Sequence, residues 1–299
     1  MSEEMISRRF QLSSFQIIIL GFAGVILLGA LLLMLPIATQ EGCTTPFNEA
    51  LFTATSAVCV TGLVIHDTGS YWSAFGQTII LTLIQIGGLG VVTVAASFAL
   101  LSRRRISLMQ RTTLQDAISA PNVGGIVRLT KFILWGTFLI ELIGALAMLP
   151  VFCRDYGWHG IWMAVFHSIS AFCNAGFDIL GTANNLYPSL TGYEQNPIMN
   201  ITIMLLIIIG GIGFLTWEDI CENKLQFRRY RMQSKVILIS TVILIVFPAI
   251  FFFFADFASL PIEARLQSSL FQSVTTRTAG FNTANLSAMS SSSQGIMIL

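Results

Sequence analysis

Five long apolar runs decide the fold class before any motif is read. They are Phe15–Leu35, Gln77–Leu101, Phe132–Phe152, Ile198–Trp217 and Val236–Phe254. A helix needs about 20 mostly apolar residues to cross a bilayer, and each run supplies that length. A sixth run opens at Gly295-Ile296-Met297-Ile298-Leu299, where the sequence ends. Only 10% of the 299 residues are charged, against about 25% in soluble domains, so a water-facing coat cannot be assembled. Arg8 and Arg9 precede the first run, which exceeds the ~7–15 residues of a signal h-region. Leu35-Pro36-Ile37-Ala38-Thr39 offers no convincing cleavage site, so the first run is read as a retained span. The expectation is an all-α polytopic membrane protein.

Basic residues set the orientation. Arg103, Arg104, Arg105, Arg111, Arg128 and Lys131 lie between runs two and three, and Lys224, Arg228, Arg229, Arg231 and Lys235 between runs four and five. The alternate connections carry far fewer: none from Pro36 to Gly76, Arg154 alone from Cys153 to Asn196, then Arg265 and Arg277. The positive-inside rule places the N-terminus and both basic loops in the cytoplasm. Tyr71, Trp72, Trp158 and Trp162 then fall on the outer side, as interfacial aromatics would.

Each outer connection contains an apolar stretch too short to span: Pro46–Val58, Gly160–Phe172 and Pro261–Thr275. About 12 residues at 1.5 Å each reach roughly half a membrane. Thr45 is expected as the first N-cap, with Pro46 at the first helical position and Glu49 in the first turn; Pro261 and Glu263 are placed similarly. These predict short helices dipping in from outside.

Each short helix leads into a similar string. The first is Phe52-Thr53-Ala54-Thr55-Ser56-Ala57-Val58-Cys59-Val60-Thr61-Gly62-Leu63. The second is Phe166-His167-Ser168-Ile169-Ser170-Ala171-Phe172-Cys173-Asn174-Ala175-Gly176-Phe177. The third, Phe271-Gln272-Ser273-Val274-Thr275-Thr276-Arg277-Thr278-Ala279-Gly280-Phe281, is one residue shorter. The following helices also match, Ile86-Gly87-Gly88-Leu89-Gly90 against Ile209-Gly210-Gly211-Ile212-Gly213. Two matching strings in the same order indicate internal duplication, with units at 1–110, 111–235 and 236–299, the third incomplete.

Non-helical backbone at membrane depth is tolerated only where protein buries it or a water-filled path runs beside it. A short helix entering from outside points its negative C-terminal end inward, which favours a cation beyond it. Backbone carbonyls in the following loop can replace an ion's hydration shell, and glycine permits the conformation that aims them. No acidic ring is required.

At these residues the sequence resembles the Trk/Ktr/HKT potassium transporter superfamily, whose pore loops are similar to Val60-Thr61-Gly62, Asn174-Ala175-Gly176-Phe177 and Thr278-Ala279-Gly280-Phe281. The start of the first span is most similar to the KtrB-type membrane subunit. The resemblance implies potassium-channel-like helix–pore loop–helix units, three of an expected four. It implies potassium uptake across the cytoplasmic membrane, with sodium as a candidate second ion and no cofactor in this chain. It implies a homodimer carrying a cytoplasmic nucleotide-binding regulatory ring of KtrA type. Selectivity-filter carbonyls are expected from Val60, Thr61, Gly62, Asn174, Ala175, Gly176, Thr278, Ala279 and Gly280. The family has four repeats around one pore, so a C-terminally truncated or incomplete sequence is expected, without conduction by this chain alone.

Other residues carry weaker expectations. Gly87, Gly88, Gly90, Gly210, Gly211 and Gly213 are read as close-packing positions. His167 is read as a packing residue, and Asp178 as a mouth carboxylate or a structural hydrogen-bonding group. Arg277 is expected to be paired behind its loop, with an acid of the missing repeat as the candidate partner, and Glu141 either to be functional, as intramembrane charges usually are, or to have a packing or interhelical partner. Five scattered cysteines show no metal spacing. The alternatives are a secondary transporter with broken helices, disfavoured because all three copies run in the same direction, and a membrane enzyme, for which His66, Asp67, His167 and Asp178 form no shared pattern.

Overall fold

A computed structural model of the chain describes residues 13–90, 126–224, 226–284 and 289–298, together with the isolated positions 93, 94, 113, 115, 116 and 286. The described residues are helical, with two isolated bridges in the connections, Thr39 with Trp72 and Thr182 with Asn185. The helices are α1 (Ser14–Leu33), α2 (Phe47–Val58), α3 (Thr68–Tyr71), α4 (Ala74–Leu89), α5 (Ile126–Tyr156), α6 (His159–Phe172), α7 (Pro197–Gly211), α8 (Phe214–Asn223), α9 (Met232–Ala255), α10 (Ile262–Thr275) and α11 (Ser291–Ile298).

Local chemistry sets several helix starts. Ser13 and Gln16 form a reciprocal capping box at α1. Asn196 caps α7 just before Pro197, whose missing N–H is harmless in the first turn. Asp219, 2% exposed, reaches from α8 to the start of α9, accepting from the Arg231 N–H at 3.0 Å and the Ser234 hydroxyl at 2.5 Å. A carboxylate there faces the positive end of the helix. Pro46 and Pro261, rather than Thr45, occupy the N-cap positions of α2 and α10, so these helices begin one residue later than expected. The Thr45 hydroxyl instead pairs with the Tyr71 hydroxyl at 3.1 Å.

Among the described residues three helices are long and apolar enough to cross a membrane: Phe15–Leu33, Val127–Tyr156 and Met232–Ala255. Their outer faces are bare hydrocarbon, with Phe15 71%, Trp135 79% and Phe247 67% exposed. Such a surface is stable only against lipid or another apolar partner. Two expected spans differ from the sequence reading. Run four is not one helix, because α7 and α8 meet at a 96° bend. Run two is described only as α4, 16 residues ending at Gly90, with Thr93 and Val94 helical beyond it; residues 95–112 lie outside the described residues. The end of α4 and the α7–α8 bend share one feature: Gly90 (φ 82°, ψ 134°) and Gly213 (φ 81°, ψ 150°) adopt the same glycine-only backbone conformation. Nothing but the Thr93 hydroxyl, at 3.9 Å, would approach a Cβ at Gly90, and nothing at Gly213. Their role is therefore to break the helix, not to pack closely.

The short helices are the buried elements. Helix α2 packs between α1 and α4, α6 between α5 and α7, and α10 against α9. Their inner faces carry small residues, such as Ala50, Ala54 and Ala57 on α2, all 0% exposed, which lets neighbouring backbones approach. Gly87 and Gly210 complete this packing. A Cβ at Gly87 would fall 2.1 Å from the Val58 carbonyl oxygen, and one at Gly210 would fall 1.9 Å from that of Phe172. The equivalent glycine in each copy thus seats the end of the short helix. Of the expected interfacial aromatics, Trp158 is 89% exposed but Trp72 only 1%. Trp72 is a core residue.

Candidate pore-loop site

The three short helices end in loops of shared conformation. Val60, Asn174 and Thr278 have left-handed φ of 56°, 57° and 67°, and the glycines two positions later, Gly62, Gly176 and Gly280, have φ of 72°, 68° and 79°. Side chains disfavour this region, so its recurrence at three non-glycine residues marks a backbone path held by its surroundings. Helix ends hold it in place. In the first loop the N–H of Thr61 donates to the Ser56 carbonyl at 3.0 Å and that of Val60 to Ala57 at 3.3 Å. In the second the N–H of Ala175 donates to Ser170 at 2.8 Å and that of Asn174 to Ala171 at 3.1 Å. The shorter third loop closes with Ala279 donating to Thr275 at 3.0 Å.

The amides therefore point back to the short helices while the carbonyls do not. Among the described residues, none of the carbonyls of Val60, Thr61, Gly62, Asn174, Ala175, Gly176, Thr278, Ala279 and Gly280 accepts a hydrogen bond from the protein. A carbonyl that no protein donor occupies is open to water or to a ligand, so the nine found among the described residues of three matching loops form a set of oxygen donors open to a ligand. The carbonyl just beyond each of the last two glycines is turned away and used. Ser170 donates to the Phe177 oxygen at 2.7 Å and Thr275 to the Phe281 oxygen at 2.5 Å. In the first loop Ser56 pairs with the Thr61 hydroxyl at 2.9 Å instead.

The loops meet in sequence order. A Cβ at Gly62 would lie 2.6 Å from the Ala175 carbonyl oxygen, and one at Gly176 would lie 2.6 Å from the Ala279 oxygen. One at Gly280 would lie 3.3 Å from the Gly176 Cα. Neighbouring loops thus touch backbone to backbone, which only glycine permits. All nine residues singled out from the sequence fall in this cluster.

Outside the loops, carboxylates gather where units one and two adjoin. Asp67 accepts from the Tyr187 N–H at 2.9 Å with one oxygen and from the Ser70 N–H and hydroxyl, both at 2.8 Å, with the other. It lies over Gly181, where a Cβ would come within 1.9 Å of it. Asp178 accepts from the Leu180 N–H at 3.2 Å. Burial pushes its carboxyl up to about 6, with the charge of Asp67 adding to the rise and the Leu180 bond opposing it. Glu49, in the first turn of α2, pairs with His66 at 2.6 Å, and His66 stacks on Tyr71 at 3.9 Å.

Two buried side chains lie behind the loops. Arg277 has no carboxylate partner among the described residues. It sits behind its loop, one guanidinium nitrogen 3.1 Å from the Thr241 hydroxyl and 3.8 Å from where a Gly211 Cβ would lie. There it faces the C-terminal, negative end of α7, which supplies part of the compensation expected from an acid. His167 is fully buried; one ring nitrogen lies 2.7 Å from the Met163 carbonyl oxygen, and the ring packs on Phe152 and Phe281. Sequence reasoning did not single out Asp67, Ser170 or Thr275 as supports, since an Asp, Ser or Thr in an outer loop or short helix carries no distinguishing pattern.

Three helical units, each ending a half-membrane helix in a glycine loop with free carbonyls, define a membrane protein of the re-entrant pore-loop class. The chain belongs to the TrkH cation transport protein family, whose model matches residues 7–238. It is 39% identical over 288 residues to the potassium/sodium uptake protein NtpJ of Enterococcus hirae, covering 94% of this chain and 62% of that protein. It is 39% identical over 282 residues to the Ktr system potassium uptake protein B of Bacillus subtilis, covering 92% and 61%. The Vibrio alginolyticus protein of the same name is 33% identical over 292 residues, covering 95% and 62%. The chain therefore spans about three fifths of the length of these relatives. The crystal structure of the potassium transporter TrkH from Vibrio parahaemolyticus matches with a TM-score of 0.69 at 15% identity, covering 97% of this chain and 56% of that one; at that identity the likeness concerns the fold.

Proposed function

We propose that the chain forms part of the wall of a potassium-uptake pore in the cell membrane. Val60, Thr61, Gly62, Asn174, Ala175, Gly176, Thr278, Ala279 and Gly280 supply the selectivity filter through their backbone carbonyls. The observation that carries this reading is the set of nine unpaired carbonyls in three loops that share one left-handed register. The cation gains oxygen ligands in place of water, and the negative ends of α2, α6 and α10 favour its charge. The names of the relatives, potassium/sodium uptake and Ktr potassium uptake, support potassium as the ion and make sodium the second candidate. The repeats divide at 1–110, 111–235 and 236–299, and the N-terminus and basic loops face the cytoplasm. A homodimer bearing a cytoplasmic nucleotide-binding ring completes the proposal; the Lys224–Lys235 segment is its docking surface.

Labelled-rubidium uptake tests this in potassium-starved cells lacking their own uptake systems and expressing the complete gene. Uptake that unlabelled potassium competes away supports the proposal. Uptake no greater than in cells without the gene contradicts it and favours a transporter of another solute using the α7–α8 break.

A further inference from the structure

One carboxyl inside the bilayer has no counter-charge. Glu141 lies midway along α5, 4% exposed, and among the described residues no Lys, Arg or His pairs with it. It stands where three elements meet. From α4, the Gln85 side-chain amide donates to Glu141 Oε1 at 2.9 Å. From α6, the Ser168 hydroxyl donates to the Glu141 backbone carbonyl at 2.6 Å. One turn beyond Gln85, a Cβ at Gly88 would meet the Cys173 sulfur at 2.5 Å, immediately before the second loop. Glu141 is thus held between α4 and α6, on the side where α4 meets Cys173 at the start of the second loop.

Its hydrogen bonding is that of an acid, not of an anion. An ionised carboxylate has about four acceptor sites and gathers donors when buried. Glu141 has a single side-chain donor among the described residues, Gln85. The Thr137 hydroxyl, one turn away on the same face of α5, is buried and unpaired, so it does not donate to the carboxyl. Most telling is Gln85 itself, whose carbonyl Oε1 is buried with no donor. That oxygen sits beside the amide nitrogen already bonded to Glu141. A protonated Glu141 is a donor of the kind this acceptor lacks, and an acid–amide pair closed by two bonds would join the amide N–H to Glu141 Oε1 and the acid O–H to Gln85 Oε1. One proton would satisfy the orphaned acceptor and remove an uncompensated charge from the bilayer interior. Among the described residues the groups facing Glu141 are Gln85 on α4 and Ser168 and Cys173 at α6, none positively charged, and α7, which also packs on α5, carries no titratable side chain.

We propose that Glu141 and Gln85 form a proton-binding site, a neutral acid–amide pair that joins units one and two near the start of the second loop. Loss of the proton breaks one bond of the pair and leaves bare negative charge beside Cys173, making this joint sensitive to alkaline pH. The inference is independent of the potassium reading.

Infrared spectroscopy of the purified full chain in detergent at pH 6 tests it, since surface carboxylates are then mostly ionised and a protonated acid shows its own C=O band, which is read as the wild-type minus Glu141→Gln difference so that Asp178 does not contribute. The wild-type chain is expected to show this band, Glu141→Gln to lose it, and Gln85→Leu to shift it as the ring opens. A wild-type spectrum without the band overturns the proposal, as does a band that survives Glu141→Gln. If Glu141→Gln does not fold, Gln85→Leu decides, and an unmoved band overturns the proposal. Thermal melts add a second readout. Wild-type stability should fall above neutral pH while the Glu141→Gln melt stays flat across the same range, and parallel curves would count against the site.

Discussion

Replacing Gly176 with Ala adds one methyl group and meets two separate obstacles. The residue has φ of 68°, a left-handed conformation that costs a side-chain-bearing residue roughly 1–2 kcal/mol. The new Cβ would also lie 2.6 Å from the Ala279 carbonyl oxygen, and that atom is backbone of the third loop, which cannot swing aside as a side chain could. Overpacking of this kind costs about 1–3 kcal/mol. The sum, about 2–5 kcal/mol, corresponds to roughly 30-fold to a few-thousand-fold in the population of the native loop, at 1.4 kcal/mol per tenfold. The carbonyls move together with the loop, so preference for potassium should fall along with it. The assay is labelled-rubidium uptake competed by potassium or sodium, with Gly24→Ala as the control. A Cβ at Gly24 meets nothing within 4 Å, so that variant should behave as wild type. If Gly176→Ala competes like Gly24→Ala, the second loop does not select ions through its backbone.

Gly210→Ala should lower the melting temperature of the purified chain more than Gly211→Ala, because its Cβ would lie 1.9 Å from the Phe172 carbonyl oxygen, whereas the Gly211 Cβ would lie 3.4 Å from Asn174 Nδ2; equal melting points would refute the packing role. Thr241→Val removes the hydrogen bond that the Arg277 guanidinium donates to the Thr241 hydroxyl at 3.1 Å, its one side-chain bond among the described residues, and the loss should be about 1.5–3 kcal/mol, as for bonds to charged groups, read as a lower thermal midpoint. Asp178→Asn should stabilise the chain most at neutral pH. Burial raises the Asp178 carboxyl from 3.8 to about 6, so the native state binds the extra proton and this contribution is lost as pH rises through that window. Melts from pH 4 to 8 should therefore show the variant's advantage growing with pH, and a constant difference would contradict it.

Much of this was legible in the residues. Runs such as Phe15–Leu35 and Val236–Phe254 read directly as spans because period and length leave no other solution in lipid. The loops were legible because duplication put Gly62, Gly176 and Gly280 at the same place after a half-membrane stretch. What escaped was decided by three-dimensional neighbours. Gly87 and Gly90 look equivalent in a string of glycines, yet one packs on the Val58 carbonyl and the other breaks the helix. Only the matching behaviour of Gly210 and Gly213 identifies the two roles. Pro46 was read one position too far into its helix, since a proline preceded by Thr45 resembles the first helical residue as closely as it does the cap. The Glu141–Gln85 contact joins residues 56 apart in sequence, and no periodicity records it.

The central claim is that backbone carbonyls of the three loops bind a cation. Anomalous X-ray scattering from crystals of the chain grown in rubidium chloride tests it directly. The account predicts a rubidium peak ligated by the free carbonyls around Ala175 and Ala279. Well-ordered loops without such a peak, or rubidium found only at Asp67 and Asp178, would contradict it.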